Sequence, residues 1–264
     1  MHRRHLLTSL AATPLTMGAG AVAQPRPGGK VYVLVHGMYG GGWVWNFVTP
    51  KLRALGHQVY TPTLTGIGDR SHLLSREITL DTHIEDVCNL LETEELHDIV
   101  LVAHSYGGMV GTGVADRLTS RIDRLIYLDA LIPENGESAY DILPAGMADL
   151  RRHAVQVAGA GIAFPVPQAA DVPLPPGPAK DWLVRHMRPH PAATYETPIR
   201  LGRPAGAGLP TAYIAYRHPA IASIEPSRQR AKAKPGWQLA ERPVPHDVEA
   251  TEPDVVVSLL TTYG

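Results

Sequence analysis

A serine in the run Ala103-His104-Ser105-Tyr106-Gly107 stands where four branched apolar residues, Ile99-Val100-Leu101-Val102, give way to a stretch holding Gly107, Gly108, Gly111 and Gly113. The apolar run reads as a strand buried on both faces. The glycines let a following helix pack closely against its neighbours. At such a strand-to-helix corner the hydroxyl is exposed on a sharp turn, beside the positive end of the helix dipole, where a developing oxyanion is stabilised. The chemistry suggested is nucleophilic attack on a carbonyl, for which serine needs a positioned base. Pro245-His246-Asp247 lies late in the chain, between the last predicted strand and the last predicted helix, and of 13 histidines only His246 occupies that slot. Backbone amides must also face the oxyanion. Tyr106, next after the nucleophile, offers one. Met38, in the flexible loop His36-Gly37-Met38-Tyr39-Gly40-Gly41-Gly42, offers the other. These glycines do not form a phosphate-cradling Walker loop, because its lysine and hydroxyl are missing.

These residues need a scaffold that brings distant loops to one place. Val31-Tyr32-Val33-Leu34-Val35 reads as a first buried strand. Trp45, Val48, Leu52 and Leu55 recur at helical spacing, and Gly56 stops that helix. A strand restarts at His57-Gln58-Val59-Tyr60, and a loop from Leu64 to Leu80 follows. The next helix carries Ile84, Val87, Cys88 and Leu91 on one face, so Cys88 is a core residue. Arg124-Leu125-Ile126-Tyr127-Leu128 is the next strand, ending at Asp129-Ala130. Further strands are expected over Leu209–Ala215 and Trp237–Val244, and a last helix from about Pro253 to Leu260 with Thr251 as its N-cap. Strands alternating with helices call for an α/β fold with a mostly parallel, doubly wound sheet. Fourteen of the 24 prolines fall between Pro133 and Pro219. Proline removes a ladder donor, so this stretch is not sheet core. It reads as an insertion, about residues 133–208, lying over the carboxyl edge of the sheet as a lid.

The chain has 264 residues, enough for one large core. Its 24 basic and 25 acidic residues nearly cancel, which argues against nucleic acid or an anionic membrane surface as the main partner. A single cysteine excludes an internal disulfide and any cysteine-based metal centre. Residues 1–23 form a separate unit: Arg3-Arg4 precede an apolar, alanine-rich stretch without acidic residues that ends in Ala21-Val22-Ala23. That is the pattern of a cleavable export signal, and Arg3-Arg4-His5-Leu6-Leu7 resembles its twin-arginine form. Residues 24–264 are then a single domain, exported to the periplasm or beyond. No other segment has the ~18 consecutive apolar residues of a membrane span.

Val35-His36-Gly37, Gly41-Gly42-Trp43-Val44-Trp45, Thr65-Gly66-Ile67-Gly68-Asp69-Arg70, His104-Ser105-Tyr106-Gly107-Gly108 and Tyr127-Leu128-Asp129-Ala130 occur in this order. Together they resemble one branch of the α/β-hydrolase superfamily, which includes methyl-salicylate-type esterases and hydroxynitrile lyases. The resemblance runs over most of residues 31–262 and is weakest in the insertion. Ala103 replaces the first glycine of the usual G-x-S-x-G. The likeness implies a serine–histidine–acid triad, two amide oxyanion donors, and no metal or organic cofactor.

The triad acid departs from that branch. It usually follows the next-to-last strand, where this chain has Arg217-His218-Pro219. Asp129, at the carboxyl end of the strand after the nucleophile's helix, is the first choice, and Glu225 is its alternative. The expected activity is hydrolysis of a small carboxylic ester or lactone through an acyl-serine. Tyr39, Trp182 and Met187 are expected to line a pocket for an apolar or aromatic group. Carbon–carbon lyase chemistry and a non-catalytic ligand-binding homologue are the alternatives. Both haloalkane dehalogenase and epoxide hydrolase, in their usual form, require an aspartate where Ser105 stands.

Overall fold

The computed structural model describes residues 28–264, so the expected signal segment lies outside the described residues. In chain order the elements are β1 (Val31–Val35), α1 (Thr49–Ala54), β2 (Gln58–Tyr60), α2 (Leu80–Thr93), β3 (Ile99–His104), α3 (Gly107–Arg117) and β4 (Ile122–Leu128). The insertion holds α4 (Ala139–Ile142), α5 (Met147–Ala158), β5 (Ala163–Phe164), α6 (Pro178–His186), β6 (His190–Pro191) and α7 (Ala193–Glu196). β7 (Thr211–Tyr216), α8 (Glu225–Lys232), β8 (Gln238–Arg242), α9 (Val248–Thr251) and α10 (Pro253–Tyr263) complete the chain.

Six strands form one sheet in the order β2-β1-β3-β4-β7-β8, with every neighbouring pair parallel. Successive side chains of a strand face opposite ways. Val33, Val35, Leu101, Ala103, Leu125 and Tyr127 therefore join the layer that includes α2 and α3. Tyr32, Leu34, Val100, Val102, Ile126 and Leu128 join Leu52 of α1 and Leu259 and Leu260 of α10. Helices cover both faces, which is why the inner strands β1, β3 and β7 are buried nearly throughout rather than alternating, whereas the edge strand β8 is largely exposed. The order of strands reverses between β1 and β3, and in such sheets the crevice at the carboxyl ends beside that reversal is where ligands bind.

Several expected boundaries shift. The helix expected over Trp45–Leu55 is a short 3-10 turn at Gly42–Trp45 followed by α1. Pro50, in the first turn of α1, has no amide to continue an earlier helix but is well suited to start one. Leu55 lies beyond its end and is 58% exposed. Likewise Thr251 closes α9 instead of capping α10, which begins at Pro253 and runs to Tyr263. The 64–80 loop contains a 3-10 turn, Gly68–Leu73. Within the insertion the strand pairing is the two-residue antiparallel ladder β5–β6, separate from the main sheet.

Candidate active site

Ser105 follows the last residue of β3 with φ 55°, in the left-handed region that non-glycine residues rarely adopt. Two backbone bonds hold it there: its amide donates to the Leu128 carbonyl at 3.2 Å, and its carbonyl accepts from the Leu131 amide at 2.9 Å. Leu128 ends β4 and Leu131 lies in the segment just after it, so the turn is braced by the neighbouring strand and its exit. The loop after β1 presses in from the other side. A Cβ on Gly37 would lie 2.8 Å from Ser105 Cβ and 3.3 Å from its Oγ, so only glycine lets the chain pass this close.

The alanine at 103 is accommodated by α3. A Cβ on Gly111 would meet Ala103 Cβ at 2.8 Å. The small residue usual in the strand has moved, in effect, onto the helix facing it. Gly111→Ala is therefore expected to lower the melting temperature, because ~1–3 kcal/mol of overpacking outweighs the ~1 kcal/mol that alanine gains over glycine in a helix. In an Ala103→Gly background the same change should become stabilising. Thermal denaturation of the four proteins of this double-mutant cycle checks the sign reversal.

His246 follows β8 and joins the two strand ends. Its Nε2 is 2.9 Å from Ser105 Oγ and its Nδ1 is 2.8 Å from Asp129 Oδ2. An ionised carboxylate only accepts, so Nδ1 carries the proton and Nε2 is left to accept from the serine hydroxyl. The His246 carbonyl accepts from His104 Nε2 at 2.9 Å. Burial, and then the neighbouring His246, push His104 down to a pKa of about 3, so it is a neutral donor. For His246 burial opposes the charged form, but the hydrogen bond and charge of Asp129, with Asp247 beyond, outweigh it and raise its pKa.

Asp129 leaves β4 with φ 43° and is fully buried. Burial acts to raise its pKa; His246 and then Arg228 outweigh that, and the carboxyl is held below its usual range. Glu225 is not at this junction. Its carboxylate binds Arg217, Arg228 and Gln229. The geometry thus joins Ser105, His246 and Asp129 and leaves the alternative acid outside. Arg228 was not foreseen from the sequence. It is 1% exposed and grips Asp129 through Nε to Oδ1 and Nη2 to Oδ2, both at 2.9 Å.

A cavity of about 300 Å³ opens over Ser105 and His246. Tyr39 and Met187 line it, as do Met38, Leu131, Leu183 and Tyr195. Trp182 does not. It packs behind the wall against Trp43 and Phe47, with ring centroids 5.1 and 4.8 Å apart, in edge-on and tilted ring contacts that satisfy it away from the cavity. The insertion thus supplies part of the cavity wall, and Trp43 from the β1 loop supplies the indole that Trp182 does not. The Tyr106 side chain turns into the core, its hydroxyl 3.0 Å from His83 Nδ1, while its amide lies in the unpaired first turn of α3. Among the described residues there is no cluster of three or more His, Cys, Asp or Glu suited to a metal ion, and no helix long and apolar enough to cross a membrane.

Comparison with known proteins agrees with this architecture. The pattern of the alpha/beta hydrolase family matches residues 32–259. A carbendazim hydrolyzing esterase from Nocardioides sp. (strain SG-4G) is 39% identical over 250 residues, covering 88% of this chain and 99% of that protein. Methylesterase 9 of Arabidopsis thaliana is 35% identical over 106 residues, 40% of this chain and 41% of its own length. An extracellular alpha/beta-hydrolase from a Paenibacillus species has the same fold, with a TM-score of 0.79 at 24% identity, over 89% of this chain and 99% of its own.

Proposed function

The chain belongs to the alpha/beta hydrolase family, and on that premise we propose that it cleaves a small carboxylic ester or lactone through an acyl-serine intermediate. What supports this reading most is the unbroken line of hydrogen bonds from Ser105 through His246 to Asp129. Ser105 Oγ attacks the carbonyl carbon while His246 Nε2 takes its proton. The oxyanion is received by the amides of Met38 and Tyr106, each such donor being worth ~3 kcal/mol to the transition state. The tetrahedral species collapses, and His246 returns the proton to the departing alkoxide. Water then attacks the acyl-serine, again giving a proton to His246, and the acid leaves with Ser105 restored. Asp129 holds the Nδ1–H tautomer throughout and stabilises the imidazolium. No step calls for a metal or organic cofactor.

The substrate reading rests on the cavity wall and on kinship. Tyr39, Leu131, Leu183, Met187 and Tyr195 form an apolar and aromatic part of the wall, beside Arg151 and Asp171, and the bacterial relative is named for hydrolysing carbendazim. A small ester with an apolar or aromatic group is the class proposed, with the insertion over the cavity acting as a lid. The Arg3-Arg4 pattern supports export of the protein.

The test is incubation with an organophosphonate and a panel of p-nitrophenyl esters. A covalent adduct on Ser105 and a burst of p-nitrophenol are expected. A folded protein that gives neither adduct nor turnover would falsify the proposal, and cyanohydrin cleavage without an adduct would point to a lyase instead. The pH profile gives a second check. His246 must be neutral to accept the serine proton, so kcat/KM should rise with pH along a limb centred above 6.5, the ordinary histidine value. A limb below that value would contradict the raised basicity.

A further inference from the structure

The triad acid sits on β4, one strand away from its usual place, inside the protein and out of reach of water. A carboxylate there faces two demands. It must stay ionised while His246 is neutral, and it must keep one rotamer so that Oδ2 meets Nδ1. Resting His246 supplies no charge to meet the first demand. Burial of an unpaired carboxylate would protonate it.

We propose that Arg228 is the positioning residue that lets Asp129 serve as triad acid from β4, by clamping its carboxylate from α8. This rests on the reading of Ser105, His246 and Asp129 as a triad. The hydrogen-bond inventory of the pair is complete. Asp129 Oδ1 accepts from Arg228 Nε at 2.9 Å and from the Tyr216 amide at 3.1 Å. Oδ2 accepts from Arg228 Nη2 at 2.9 Å and is 2.8 Å from His246 Nδ1. Those are the four positions a carboxylate offers, all occupied. Arg228 in turn spends every donor it has. Beyond the two to Asp129, Nη2 donates to the Tyr216 carbonyl at 3.1 Å, and Nη1 donates to the Ile221 carbonyl at 3.0 Å and to Glu225 Oε2 at 3.1 Å. A planar fork with five directed donors fits this site, and a lysine ammonium does not. Glu225, the sequence's other candidate acid, thereby acquires a role: it anchors the clamp.

The clamp has an electrical consequence. Facing the Asp129–His246 pair are Arg228 and Glu225 from α8, Tyr213 and Tyr216 from β7, His104 from β3, and Asp247 and Glu249 from the segment after β8. Arg228 is the fixed cation of this set. It favours the charged form of Asp129 and disfavours that of His246. Removing its charge makes both groups easier to protonate, and each protonation abolishes the base. The acid limb of kcat/KM must therefore move to higher pH.

Arg228→Met, Arg228→Lys and wild type would be compared on p-nitrophenyl acetate across the pH range. Arg228→Met should lower kcat by ~10–100-fold, as loss of an outer partner of a working side chain does. KM should hold within about twofold, since the residue does not touch substrate, and the acid limb should shift upward. Arg228→Lys keeps the charge and loses the fork, so its limb should stay near that of wild type while kcat falls. A folded Arg228→Met with unchanged kcat, or with a lower kcat and an unmoved limb, would overturn the proposal. If Arg228→Met does not fold, Arg228→Lys decides: wild-type kcat in that variant rules out the clamp. Phosphonate labelling of Ser105 in the wild type separates the two levels. An unlabelled, inactive wild type defeats the triad reading itself, whereas a labelled, active one with indifferent Arg228 variants defeats only the clamp.

Discussion

Asp129→Asn is expected to lower kcat for ester hydrolysis by about 10⁴-fold, the scale found when a triad aspartate becomes asparagine in a serine protease. Glu225→Gln should keep kcat within about tenfold of wild type, the lower end of what an outer partner costs. The first effect follows from the four donors around Asp129. Asparagine brings one oxygen and one NH₂ group. With the NH₂ in the place of Oδ1, it meets the Arg228 Nε–H and the Tyr216 amide, donor against donor. With the NH₂ in the place of Oδ2, it meets the Arg228 Nη2–H and forces His246 Nδ1 to accept. The imidazole proton then sits on Nε2, which can no longer take one from Ser105. Either arrangement takes from the Arg228 guanidinium its buried counter-charge and leaves it only the partly exposed Glu225, and breaking a buried pair costs ~3–5 kcal/mol of stability. Rates should therefore be referred to folded protein by circular dichroism on the same samples. Glutamine at 225, by contrast, still offers an oxygen to Arg228 Nη1. Equal losses from the two substitutions, or a larger loss at Glu225, would show that Asp129 is not the acid.

What the sequence disclosed about this site follows the kind of signal each residue carries. Ser105 stood out because a strand, a small residue and a glycine-rich helix surround it, and local geometry needs all three. His246 stood out by topology, since a loop after the last parallel strand opens at the same edge as the loop after β3. Asp129 could be reached as the carboxylate ending β4. Arg228 carried no such mark. In Glu225-Pro226-Ser227-Arg228-Gln229-Arg230 it looks like one more solvated charge, and only the fold shows that Ser227, Arg228 and Ala231 form the buried side of α8. Trp182 misled for a related reason: composition places an aromatic residue in the insertion but says nothing about which way its ring turns. A boundary failed at Pro50, where a missing amide decided the start of a helix and apolar spacing did not; the last helix does begin at Pro253 as expected, and only its cap, Glu252 in place of Thr251, and its end at Tyr263 differ. The sheet was legible because its inner strands carry apolar runs that leave few architectures, and the insertion was not because its short elements owe their shape to packing on one another.

Replacing Ser105 with alanine or glycine should remove about 10⁶-fold of kcat, as loss of a triad nucleophile does, and abolish phosphonate labelling. The two variants should differ in stability, and in a direction that reports on the turn itself. At φ 55° a residue with a Cβ sits at a cost of ~1–2 kcal/mol, which glycine does not incur. Glycine returns some of that gain, ~0.4–1 kcal/mol, through the greater freedom of its unfolded chain. Both variants lose the hydrogen bond from Oγ to His246 equally, so that contact drops out of the comparison. The remainder favours Ser105→Gly by ~0–1.6 kcal/mol, or up to ~3–6 °C in melting temperature for a domain of this size. Strain at the nucleophile is then stability given up for reactivity, held in place by the Leu128 and Leu131 backbone bonds and relaxed once the side chain that needs it is gone. A glycine variant that melts below the alanine variant would show that the turn is not strained. Retention of more than about a hundredth of wild-type kcat in either variant, against that 10⁶-fold scale, would take Ser105 out of the chemistry altogether.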